Sequence, residues 1–233
     1  FGAGASGNLR LNLPDLTMLK TFADVPIDTG AATARATFDT RRSRARANAS
    51  ASVTDLTFSD VDGTGAMNLD AGIDWQGRTA RANATLAGNF GEPLTVRAEV
   101  PVRAGGLFPE LARRGAVDAA IAWTGQIGDL WALVPAPGHV VTGDAKIDLA
   151  VSGDISAPMI TGGAAVTGGG YQNLDAGTIL TDLTIDTTLD ANGALGVKLR
   201  AADGAAGTVS TDGSISLDGN GLQVTTKIDN AVL

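Results

Sequence analysis

Apolar and polar residues alternate along most of this chain, in runs of about ten that close at glycine-containing turns. The run Gly143 to Gly153, GDAKIDLAVSG, shows the pattern. Ala145, Ile147, Leu149 and Val151 fall on one side, and Asp144, Lys146, Asp148 and Ser152 on the other. Strand side chains point to opposite faces with a period of two, so each run predicts a strand with one oily face and one wet face. About a dozen such runs predict an all-β chain: a long, mostly antiparallel sheet, one side of which must be hidden from water.

The predicted faces can be read off in order. Leu9, Leu11 and Leu13 are followed by Ala45, Ala47, Ala49, Ala51 and Val53. Next come Met67, Leu69, Ala71, Ile73 and Trp75, then Ala80, Ala82, Ala84 and Leu86. Leu94, Val96, Ala98, Val100 and Val102 precede Val117, Ala119, Ile121 and Trp123. After Ala145 to Val151 come Leu183, Ile185 and Leu189, then Leu195, Val197, Leu199 and Ala201. Val209, Ile215 and Leu217 follow, and Leu222, Val224 and Ile228 close the series. Asp62-Gly63, Asn192-Gly193, Asp203-Gly204, Asp212-Gly213 and Asp218-Gly219 are predicted hairpin turns, because tight primed turns need positive φ.

Three stretches break the period. PDLTMLKTFA (14–23) places Leu16, Leu19 and Phe22 at helical spacing behind a proline. PELARR (109–114) fits a single turn, and IGDLWALV (127–134) places Leu130, Leu133 and Val134 on one helical face. The first and third share an Asp-Leu start followed by a further Leu, a Pro and a Gly. They suggest a two-fold repeat of about 114 residues, with one sheet segment over 1–125 and a second over 126–233.

Composition narrows the picture. Of 233 residues, 31 are Gly and only 10 are aromatic, so a closed sandwich would be thinly filled. The net charge of −8 argues against a nucleic-acid partner. No cysteine is present, which removes disulfides and thiolate metal sites. No apolar run is long enough to cross a membrane as a helix. The chain starts without Met and ends inside a strand pattern, and it reads as a fragment of a longer protein.

Catalytic chemistry finds little support. His139 is the single histidine, so neither a multi-histidine metal site nor a catalytic triad is expected. Asp60-Val61-Asp62-Gly63 lacks the later ligands of a calcium loop and reads as a turn. Gly168-Gly169-Gly170 is not followed by the Lys-Ser or Lys-Thr of a phosphate loop and predicts a bulge before Tyr171. Arg41, Arg42, Arg44 and Arg46, with Arg78 and Arg81 further on, form the basic residues of a solvated face or of a rim facing anionic headgroups. Trp75 and Trp123 fall on apolar strand faces, as floor or as ordinary core, and Trp131 falls in the short helix as an end cover. No enzyme activity, cofactor or metal is expected.

One ordered set of elements resembles a known family. Pro101 to Pro109, PVRAGGLFP, leads to Trp123-Thr124-Gly125 and Asp129-Leu130-Trp131. VSGDISAPMITG (151–162), GYQNLDAGT (170–178) and DGAAG (203–207) follow. This order resembles the C-terminal region of the TamB family, part of the translocation and assembly module of Gram-negative bacteria. Residues 101–230 carry the likeness, and residues 1–100 share only the Gly- and Ala-rich alternation. The resemblance implies an AsmA-like, bridge-like lipid transfer protein: a sheet curled into an open trough, a β-taco groove with an apolar concave face, in the periplasm, in a protein anchored in the inner membrane outside this fragment. It implies phospholipid as cargo and, for the full-length protein, the outer-membrane barrel protein TamA as partner.

The expected function is therefore a non-enzymatic conduit segment that shields acyl chains between two membranes. An acyl chain of about 15 methylenes costs on the order of 12 kcal/mol to expose to water, at about 0.8 kcal/mol per methylene. The candidate groove residues are Leu69, Ile73, Trp75, Leu94, Val96, Val117, Ile121 and Trp123, then Ala145, Ile147, Leu149 and Val151. Leu183, Ile185, Leu189, Leu199, Val209, Ile215, Leu217, Leu222, Val224 and Ile228 complete the set. Two other classes fit less of the pattern. One is a scaffold that pairs sheet edges with unfolded barrel strands. The other is an adhesin-like β-solenoid, disfavoured because no short fixed repeat appears.

Overall fold

In a computed structural model, residues 6–21, 26–39, 46–59, 65–105, 108–132, 134, 136–190, 193–216 and 221–230 are described. The alternation folds as strands nearly throughout. The first seven are β1 (Ser6–Leu13), β2 (Ile27–Asp39), β3 (Arg46–Phe58), β4 (Met67–Gln76), β5 (Thr79–Ala87), β6 (Leu94–Gly105) and β7 (Phe108–Leu111). The rest are β8 (Ala116–Gln126), β9 (His139–Asp154), β10 (Ala157–Asn173), β11 (Thr178–Leu189), β12 (Ala194–Ala202), β13 (Thr208–Ser216) and β14 (Leu222–Asp229).

Hydrogen bonding follows chain order from β1 to β14, with β7 beside β6 off that path. The order is linear, so the sheet is open and not a barrel. The strand pairs β1 through β6 and β10 through β14 are all antiparallel. The protein is all-β, a meander with two short helical turns among the described residues.

Four predicted elements differ. The 14–23 helix is a six-residue 3-10 turn, Leu16–Thr21, started by Asp15, whose carboxylate accepts from Thr17 N and Thr17 Oγ1 at 2.8 and 2.7 Å. The 127–134 helix is shorter, α1 (Ile127–Trp131). The turn expected at 109–114 is instead β7, pairing Pro109 with Ala104 and Leu111 with Val102. Proline is tolerated in a short strand such as β7, which joins the sheet through β6 off its main path. Asp212-Gly213 is not a turn either. It lies inside β13, opposite Lys198 and Val197, because Val209, Thr211, Gly213 and Ile215 keep one unbroken period of two. Asp62-Gly63 and Asp218-Gly219 lie outside the described residues.

The chain forms two compact units. Unit 1 comprises Phe1–Asn89, Pro93–Ile121 and Val151–Pro158. Its main buried cluster is Trp75, Ala80 and Val102, with Ala47 and Val100 against it. Trp75 Nε1 donates to Gly77 O at 2.9 Å. Gly77 has φ +62°, as the tight β4–β5 turn requires. Asp154 fixes another corner: its carboxylate accepts from Ser156 Oγ, Ser156 N and Gly115 N at 2.6, 2.9 and 2.9 Å. These bonds, with the Ser156 hydroxyl first, hold its pKa down to about 2.

Unit 2 comprises Phe90–Glu92, Ala122–Ala150 and Met159–Leu233. Trp123 and Phe90 are fully covered, and Trp123 Nε1 donates to Phe90 O at 3.2 Å. Trp131 Nε1 donates to His139 O at 3.2 Å, so the helix is tied to the start of β9. His139 Nδ1 lies 2.8 Å from Tyr171 Oη. The glycine triplet makes the expected bulge, with register shifts on either side of Gly169 and φ +58° at Gly168.

Candidate functional site

The register of β1 through β6 sorts the side chains of unit 1 into rows that run across the strands. One row is Leu9–Ala36–Ala49–Ile73–Ala82–Ala98, and its neighbour is Leu11–Ala34–Ala51–Ala71–Ala84–Val96. Beyond the second lies Leu13–Ala32–Val53–Leu69–Leu86–Leu94. Beyond the first lies Gly7–Phe38–Ala47–Trp75–Ala80–Val100. No polar side chain enters any of the four rows. A one-residue slip in any pair would bring a polar residue into them, so the sequence pins this register.

The opposite face is as consistently wet. Asn8–Thr37–Asn48–Asp74–Arg81–Glu99 is one row there, and Arg10–Arg35–Ser50–Gly72–Asn83–Arg97 another. Arg81 and Glu99 meet in two hydrogen bonds of 2.8 and 3.2 Å.

The apolar face is covered at one end and open in the middle. Trp75 and Ala80 are buried, whereas Leu9 is 65%, Leu11 49% and Ile73 42% exposed. Burying one such side chain is worth roughly 1.5–3 kcal/mol. An uncovered run of them favours any apolar cover. A depression of about 270 Å³ lies here, lined by Leu9, Ala34, Ala36, Ala49, Ala51, Ala71 and Ile73 among others. A larger one of about 740 Å³ has wet-face residues in its lining, Thr33, Arg35, Asn48, Ser50, Asp70, Asp74, Arg81 and Asn83, together with Ala34, Ala49, Ala51, Ala71 and Ile73. Chemistry, not size, distinguishes the apolar one.

Unit 2 carries a comparable but interrupted face. Its rows are Gly162–Leu189–Leu195–Ile215–Leu222, Ala164–Thr187–Val197–Gly213–Val224 and Val166–Ile185–Leu199–Thr211–Thr226. Ala201–Val209–Ile228 continues them. Threonines therefore sit on the apolar side. Thr187 Oγ1 bonds both Ala164 N and Ala164 O, at 2.9 and 3.0 Å, and Thr211 and Thr226 bond each other at 3.1 Å. Local pairing makes these hydroxyls tolerable on an apolar surface.

The predicted groove residues fall as follows. Leu69, Ile73, Leu94 and Val96 lie in the uncovered rows of unit 1, and Trp75 in the covered one. In β8, Val117 is buried and Ile121 39% exposed, while Trp123 is sealed against Phe90. Trp75 and Trp123 thus act as core, not as open floor, because their indole N–H groups are tied to nearby carbonyls. Ala145 is buried and Ile147, Leu149 and Val151 half-buried, against exposed Asp144, Lys146 and Asp148. Leu183 and Val209 are buried, and Ile185, Leu189 and Leu199 half-buried. Ile215, Leu222, Val224 and Ile228 are exposed, and Leu217 lies outside the described residues. Sequence reading missed the alanines of β2, Ala32, Ala34 and Ala36, although their period of two signals the same face. No family model, no curated protein and no solved structure matches the chain.

Proposed function

We propose that this chain is a non-enzymatic groove segment that shields phospholipid acyl chains on an apolar sheet face. The observation that carries the reading is the set of four rows in unit 1, six strands wide, without a polar side chain and with Leu9, Leu11 and Ile73 in water. Such a surface offers many near-equivalent aliphatic contacts and no hydrogen-bond partner. It suits a hydrocarbon chain that slides and does not lock. The resemblance to the TamB family supports the same reading: a periplasmic segment of an inner-membrane-anchored conduit, working with TamA. The fully exposed edge strand β14 favours strand pairing with barrel substrates as a second reading.

The test is phospholipid recovered per protein, by mass spectrometry of an organic extract. Ala51→Asp or Ile73→Arg, on the open apolar rows of unit 1, should lower it several-fold, because an uncompensated charge opposes an acyl chain. Asn48→Asp or Asn83→Arg, on exposed positions of the wet face of unit 1, should leave it unchanged. No lipid in any extract, or equal effects in both sets, would refute the reading.

A further inference from the structure

On the wet face of unit 1, two arginines stand directly opposite each other: Arg10 of β1 pairs with Arg35 of β2. Both are exposed. Like charges in directly opposed antiparallel positions, with Cβ atoms about 4.5–5.5 Å apart, destabilise a sheet. Lys20, Arg81 and Arg103 of the unit are ion-paired with Asp28, Glu99 and Glu110. Arg46 faces Asp39 and Gln76 across the ladder and Arg97 faces Asn83, so neither opposes a second cation there. Arg10 and Arg35 have no ion-pair partner among the described residues, in a chain whose net charge is −8. The next positions in the row are small or neutral: Ser50 opposite Arg35, then Gly72, then Asn83. They line the 740 Å³ depression with Arg35, while Asp70 and Asp74 line the part of it on β4, two strands from Arg35.

We propose that Arg10 and Arg35, with the Ser50 hydroxyl, form a binding site for a phosphate group. Two guanidinium forks side by side match the oxygens of one phosphate, and a hydroxyl donor beside them fits a third. Bound phosphate would turn the Arg–Arg repulsion into two attractions. Further along the depression Arg81 is already engaged by Glu99, and the β4 carboxylates disfavour an anion there and direct it to the β1–β2 side. The phosphate could belong to a lipid headgroup or be free in solution, and the recognition chemistry is the same. The site is on the opposite face from the acyl-chain surface and stands independently of that reading.

The test compares the 233-residue chain with Arg10→Gln/Arg35→Gln and with a charge-matched control, Arg200→Gln/Lys227→Gln, in unit 2. Probes are phosphatidylcholine vesicles with and without phosphatidylglycerol, and inorganic phosphate. Binding should weaken at least about tenfold in the Arg10/Arg35 variant and less than about twofold in the control. Thermal unfolding without ligand should show that variant at least as stable as the parent, since a repulsion is removed. Arg35→Lys keeps the charge but loses the fork and should fall between. Binding of vesicles alone assigns the site to headgroups; competition by inorganic phosphate assigns it to phosphate generally. Equal loss in variant and control, no binding by the parent, or a destabilised variant would overturn the proposal.

Discussion

The two units solve the same strand problem with different strictness. In unit 1 the apolar rows admit nothing but Ala, Val, Leu, Ile, Phe, Trp and one Gly. In unit 2 the equivalent rows admit Thr187, Thr211 and Thr226 and two glycines, and the hydroxyls are satisfied locally. The difference teaches that an apolar sheet face has two separable requirements. Polar groups must be paired for the fold, which both units achieve. Polar groups must be absent for a continuous hydrocarbon surface, which only unit 1 achieves over β1 to β6.

Glycine usage separates the units most strongly. A Cβ on Gly163 in unit 2 would sit 1.9 Å from the Thr187 carbonyl oxygen. That clash is with backbone at the point where the Thr187 hydroxyl also engages Ala164. Gly163→Ala should therefore cost at least the roughly 1–3 kcal/mol typical of overpacking. In unit 1 a Cβ on Gly72 meets Asn83 Oδ1 at 2.9 Å, the movable end of a side chain on the wet face. Gly72→Ala should be neutral or stabilising by roughly 0.5 kcal/mol, because strand glycine carries excess unfolded-state entropy. Urea unfolding of the two variants checks the sign. Similar losses from both would dissolve the contrast.

A smaller effect marks unit 1 through Asp154. Its folded pKa, about 2, lies below the ordinary 3.8. A lowered carboxyl pKa stabilises the fold above the unfolded value, and that contribution is lost as pH falls from about 3.8 through about 2. The group is solvent-exposed, so the change should be modest. Asp154→Asn should flatten the stability profile between those limits relative to the parent, as read by urea midpoints across that range. Parallel profiles would mean that the Ser156 and Gly115 hydrogen bonds do not persist in solution.

Much of this architecture was legible because the period of two is nearly uninterrupted. Face assignments in β4, β6, β12 and β14 follow from alternation alone. The turns were less legible. Asp212-Gly213 has hairpin chemistry, yet the in-phase Val209, Thr211 and Ile215 on either side decide for a strand. PELARR (109–114) fitted a single turn, but its first residues join β7 and pair with β6, which overrides local preference. The opposition of Arg10 and Arg35 was not readable, because it depends on register across a loop and not on spacing. Nor was the sealing of Trp75 and Trp123, since an apolar phase does not say what covers a side chain.

The central claim, that the open apolar rows of unit 1 hold acyl chains, is tested most directly by position-specific photo-crosslinking. A photoreactive residue is placed at Leu11, Ala51 or Ile73 on the apolar rows, and at Thr33, Asn83 or Thr85 on the wet ones. Lipid adducts are then read by mass spectrometry of the 233-residue chain. The account predicts acyl-chain adducts at the first three positions and few at the second three. Adducts spread evenly over both faces, or absent from Ala51 and Ile73, would contradict it.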